Sequence, residues 1–250
     1  MCSVVSESVV LDHSMTKSKD SSTEIDLIAI LGLYNSGSSA LSGVLYYLGV
    51  DMEPLESYRS YESAELSPRL REWWCEPTPR MGLSWSELKE SVCKEDRIYF
   101  LKQWIGSKMG AGVKQVAIKH PLLLLSADDL LEACGTGARF IWSYRPLNES
   151  IDKLTERAWW PGGERFIQTA LWNKVKPFVE RLGENRKLII AYNDMTDETK
   201  TFDRLNQISE YLRISPTEKQ KIDAFNHIRK SLRNKKPAPR AGKSNRGSIQ

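Results

Sequence analysis

Residues 25–50, IDLIAILGLYNSGSSALSGVLYYLGV, constrain the fold more than any other part of the chain. The apolar run Ile25–Leu33 reads as a strand buried on both faces, since polar residues do not alternate along it. A polar turn, Tyr34-Asn35-Ser36-Gly37-Ser38-Ser39, follows Gly32 and Leu33. A helix then spans about Ser38–Leu48, with Leu41, Val44, Leu45 and Leu48 at helical spacing and Gly49 just past its end. Strand, Gly/Ser turn and helix N-terminus together present several backbone N–H groups to an anion, and three serine hydroxyls add donors.

A nucleoside-triphosphate loop places a lysine before its Ser/Thr; here Gly37 stands at that point, which disfavours a nucleotide kinase. At 250 residues, 40% of them hydrophobic, the chain has room for one sizeable α/β domain. Its four cysteines are scattered and its three histidines lie far apart in sequence, so neither a disulfide framework nor a metal site is expected. The first 24 residues lack a leader-type apolar segment, and no stretch approaches the roughly 20 apolar residues of a membrane span. The sequence therefore predicts a cytoplasmic protein. From Arg229 onward there are eight Lys/Arg and no acid; subtracting them from the net +4 leaves −4 on the rest. This basic excess reads as a solvated tail rather than a nucleic-acid contact.

Organisation along the chain follows an α/β alternation. Residues 1–24 read as a flexible arm, 25–232 as the domain and 233–250 as a basic disordered tail. Strands are expected at Gln115–Lys119, Arg139–Tyr144 and Lys187–Tyr192. Helices are expected near Ser67–Cys75, Trp85–Cys93, Ser126–Cys134, Asn148–Ala158, Glu164–Leu182 (kinked at Pro177), Lys200–Leu212 and Thr217–Leu232. Between Asp51 and Lys108, tryptophans set among charges give no readable order. The fold class that follows is α/β, three-layered and P-loop-like, with a mostly parallel central sheet flanked by helices.

Four blocks in this order resemble the sulfotransferases that use 3′-phosphoadenosine-5′-phosphosulfate (PAPS), in particular a bacterial branch with a G-M-H-R-S-G-T-S-A loop. They are Gly32–Ala40 with Leu48-Gly49-Val50-Asp51, Ile118–Leu123 (IKHPLL), Phe140–Arg157 (FIWSYRPLNESIDKLTER) and Lys187–Met195 (KLIIAYNDM). The resemblance implies PAPS as co-substrate, with sulfonate passing by in-line displacement to a hydroxyl or amine of a small-molecule or glycan acceptor. Sulfuryl transfer, like phosphoryl transfer, rests on positioning and on cationic or N–H donors for the developing charge.

By the same resemblance, Asn35, Ser36, Gly37, Ser38 and Ser39 cradle the 5′-phosphate. Lys119 reaches the transferring group, although a strand-end lysine can also simply be solvated. Arg145, at the carboxyl end of its strand, grips the 3′-phosphate unless it serves a structural ion pair with Glu149. Glu62 is the candidate general base, the alternative being a surface glutamate. His120 is its rival, although neighbours on a strand face opposite ways. Two positions depart from the family: Asn35 replaces a loop cation, and Lys153 stands eight residues after Arg145 where a serine is usual. These departures leave a second expectation open, a catalytically inactive relative that binds adenosine 3′,5′-bisphosphate. Oligomeric state is not legible.

Overall fold

The computed structural model describes residues 25–57, 59–74, 90–158 and 162–233. The arm, the tail beyond 233, Trp85, Trp159 and Trp160 lie outside the described residues. Strand β1 (Asp26–Leu31) leads into helix α1 (Ser38–Tyr47), then a small antiparallel ribbon, β2 (Leu55–Ser57) and β3 (Glu62–Ser63). Helices α2 (Leu66–Trp73) and α3 (Lys94–Gly110) precede β4 (Gln115–Lys119), a 3-10 turn at Pro121–Leu124 and α4 (Ala127–Cys134). Next come β5 (Ala138–Tyr144), α5 (Leu147–Thr155), α6 (Glu164–Arg181), β6 (Lys187–Ala191), α7 (Tyr192–Thr196), α8 (Thr201–Leu212) and α9 (Glu218–Arg233).

Strands β4, β1, β5 and β6 pair in that order, every pair parallel. A parallel sheet needs both faces covered, and alternate residues of β1 divide between two cores. Leu27, Ala29 and Leu31 pack with α2, α3, α4 and α6, where Phe140 and Phe178 meet edge-to-face at 4.9 Å. Ile28 and Ile30 pack with α1, α8 and α9 on the other face. The result is the expected three-layer α/β architecture. At the amino edge of the sheet, Asp26 ties β1 to its neighbours by accepting from Arg139 Nε at 2.7 Å and Gln115 Nε2 at 2.8 Å.

One expectation needs correction. The described end of the helix expected at Trp85–Cys93, residues 90–93, is not helical; Cys93 is the extended N-cap of α3. The unreadable stretch before Lys108 contains that 17-residue helix. Its tryptophan belongs to the core: Trp104 is buried and donates to Glu65 at 2.8 Å, as buried Trp74 does to Ser126. Helix α6 runs through Pro177 to Arg181.

Candidate active site

The β1–α1 loop is a tight turn. The Ser36 N–H donates to the Leu33 carbonyl at 3.1 Å, while Asn35 (φ 59°) and Gly37 (φ 95°) occupy the left-handed region on either side. Asparagine tolerates that region better than most residues. Gly37 is required twice over, because a Cβ there would lie 2.1 Å from the Tyr192 ring. Helix α1 starts with no side-chain cap and no acid in its first turn, so the positive end of its dipole is not neutralised from within.

Three successive loop carbonyls are held from behind. Gln168 Nε2 on α6 donates to the Tyr34 carbonyl at 2.6 Å, Arg145 donates to the Asn35 carbonyl, and Ser143 Oγ donates to the Ser36 carbonyl at 3.2 Å. Arg145 is buried, and its guanidinium lies 3.8 Å from the Tyr192 ring centroid. Around this brace several buried polar atoms have no protein partner: Asn35 Nδ2, Ser36 Oγ, Arg145 Nε, Ser150 Oγ and Gln168 Oε1. Such a concentration of unsatisfied polar atoms, four of them able to donate, points to a polar ligand or ordered water. Arg157 lies close enough that burial, then the Arg145 charge, hold its guanidinium below its ordinary value.

Lys119 closes the other side. Only 3% exposed at the end of β4, its ammonium donates to Glu62 at 2.8 Å and sits 3.4 Å from Ser39 Oγ in the first turn of α1. The ribbon brings Glu62 there, and Arg71 steadies it: Arg71 is 3.7 Å from Glu62 and makes a bidentate pair with Glu56 at 2.8 Å. The fold thus gathers Asn35, Ser36, Gly37, Ser38, Ser39, Lys119, Glu62 and Arg145 at the carboxyl edge of the sheet, where open α/β sheets bind ligands. Lys153 stands apart on the half-exposed end of α5, paired with Glu156 at 2.6 Å. Sequence reasoning missed Gln168, Ser143, Tyr192, Arg71 and Arg157. Ser143, Arg157 and Tyr192 had a visible signal, their places in the Phe140–Arg157 and Lys187–Met195 blocks, whereas Gln168 and Arg71 had none.

His120 has a different task. Its Nδ1 accepts the Leu122 N–H at 3.1 Å, capping the 3-10 turn after β4, which leaves the ring proton on Nε2. Burial first, then the charges of Lys119 and Arg71, push its pKa well below 6.5. A histidine kept neutral by folding adds stability that is present above its unfolded pKa and lost as pH falls toward the folded value. His227, whose pKa is also lowered by burial, acts in the same direction, whereas Glu53, raised by burial, opposes them at lower pH. His120→Asn should therefore flatten the fall in Tm below about pH 6.5. Scanning calorimetry from pH 7.5 to 5 checks this; an acid limb as steep as the wild type's would refute it.

Among the described residues no helix is long and apolar enough to cross a membrane, and no cluster of three His, Cys, Asp or Glu is placed to hold a metal. No family model matches the sequence, and no curated protein does. Solved structures do. Sulfotransferase STF9 from Mycobacterium avium aligns at a TM-score of 0.50 and 12% identity, over 83% of this chain and 68% of its own. Sulfotransferase STF1 from Mycobacterium tuberculosis H37Rv gives 0.48 and 12%, over 81% and 71%. A sugar kinase from Janibacter sp. HTCC2649 gives 0.44 and 15%, over 77% and 96%. The STF9 likeness bears on the fold alone: an α/β domain with a mostly parallel sheet between helical layers.

Proposed function

We propose that this protein is a sulfotransferase that moves a sulfonate group from PAPS to a hydroxyl or amine of a small molecule or glycan. The observation that carries the reading is the meeting of a braced, uncapped loop–helix junction with the buried Lys119 ammonium, 3.4 Å from Ser39. In this reading the 5′-phosphate of the donor lies on the amides of Gly37, Ser38 and Ser39. Arg145, whose Nε has no protein partner, takes the 3′-phosphate. The acceptor oxygen or nitrogen attacks sulfur in line as the bond from sulfur to the bridging oxygen breaks. Charge appearing on that oxygen is met by the α1 amides and Lys119, and the acceptor proton goes to Glu62. His120 is left out of this step because its Nδ1 is committed to Leu122.

One observation favours the second reading, a binder of adenosine 3′,5′-bisphosphate without turnover: the residue at the loop-cation position, Asn35, is neutral, and its Nδ2 has no partner. Titration calorimetry with adenosine 3′,5′-bisphosphate tests what both readings share. Binding is expected, and Arg145→Ala should weaken it by about 1.5–3 kcal/mol, the value of a charge-assisted hydrogen bond. No heat at millimolar nucleotide would sink both. Transfer of labelled sulfate from PAPS across an acceptor panel separates them, and turnover gained only in Asn35→Arg would select the second.

A further inference from the structure

We infer that Gln168 is a positioning residue for the loop, aiming its amides at an anion before any ligand arrives. The inference rests on the proposed function only for the identity of that anion. Gln168 sits on α6, fully buried, 134 positions along the chain from the backbone it holds. Its two amide protons are divided between two carbonyls, Tyr34 at 2.6 Å and Ser150 at 3.1 Å. Flipping the side-chain amide would set Oε1 against two carbonyl oxygens, so the orientation is fixed by chemistry.

In a trans peptide the C=O and N–H point opposite ways. Gln168 pulls the Tyr34 carbonyl toward α6, so the Asn35 N–H points away from it. Ser143 does the same for the Ser36 carbonyl, which turns out the Gly37 N–H. The peptide between them is used up, its carbonyl on Arg145 and its N–H on Leu33. The outward amides of Asn35 and Gly37 therefore continue the row that begins α1. Asn35 holds a left-handed conformation to permit this. Without Gln168 the buried Tyr34 carbonyl would lack its donor, and the cheapest relief is rotation of the 34–35 peptide, which carries the Asn35 N–H out of the row. Donors fixed before binding need no reorganisation when charge develops.

Amide hydrogen exchange over residues 34–39 in the ligand-free protein reads the effect directly. In Gln168→Leu, exchange of the Ser36 N–H, which donates to the Leu33 carbonyl, should quicken about tenfold or more, the scale of one lost hydrogen bond, while β1 and β5 stay protected. Affinity for adenosine 3′,5′-bisphosphate should fall by a similar factor. Gln168→Glu at pH 8 keeps the shape and removes the donors, so it should reproduce both changes; a purely space-filling residue would not. Unchanged loop exchange in a folded Leu or Glu variant overturns the inference. If neither folds, Gln168→Met removes the donors with little change in volume, and unchanged exchange of the Ser36 N–H overturns it instead. Should the wild-type protein bind no adenosine 3′,5′-bisphosphate, the function proposed above fails while the exchange measurements still decide the role of Gln168.

Discussion

On the proposed function, Lys119→Met should reduce sulfonate transfer from PAPS by about 10²–10³-fold in kcat, the usual cost of removing one donor from a developing oxyanion. Tm should barely move. Methionine keeps the apolar stem that β4 buries and drops only the ammonium. The partner left behind, Glu62, is one-fifth exposed and still has Arg71 at 3.7 Å, so no carboxylate is stranded in the core. The opposite change is less benign. Glu62→Ala would leave an ammonium that is 3% exposed without its carboxylate, and should therefore lower both Tm and activity. The pair of variants separates chemistry from folding: a folded Lys119→Met enzyme with wild-type turnover would place the charge-stabilising group elsewhere.

The parts legible in the sequence are those whose signal is local. β4 was expected at Gln115–Lys119 and is found there; β1 and α1 are shorter than expected by only a few terminal residues. Each of these elements carries its own periodicity and stop signal. Helix α3 was hidden although Ile98, Leu101, Trp104 and Ile105 are spaced as a helix face, because Arg97 is buried on that same helix and interrupts the apolar stripe. The ribbon strands β2 and β3, three and two residues long, are too short for any pattern. In the site, residues of the loop motif and at strand ends could be named in advance. The roles of Gln168 and Ser143 could not, since each holds a loop carbonyl more than a hundred positions away, and a carbonyl leaves no mark in the sequence. Glu62 was visible only as a loose match; its hold on Lys119 depends on the ribbon and on the Arg71–Glu56 clasp, both products of tertiary packing.

Arg97→Met should be the most damaging single change to stability, by about 3–5 kcal/mol, because it strands a buried carboxylate. Arg97 and Asp129 are each about 4% exposed in their side chains and joined at 2.7 Å, linking α3 to α4. Burial alone would lower the Arg97 pKa, but Asp129 and Glu90 outweigh it and the net shift is upward. The guanidinium also donates to the Val92 carbonyl at 2.5 Å and lies 4.7 Å from the Trp74 ring centroid, so one side chain ties together α4, the approach to α3 and the end of α2. At about 2–4 °C per kcal/mol for a chain of this size, Tm should drop by roughly 6–20 °C. Removing both charges, Arg97→Met with Asp129→Leu, should restore most of the loss, because the penalty comes from the unpaired charge and not from the absent attraction. A single variant within about 2 °C of wild type would show that the pair contributes little to stability, and a double variant worse than the single would show that the loss does not come from an unpaired Asp129.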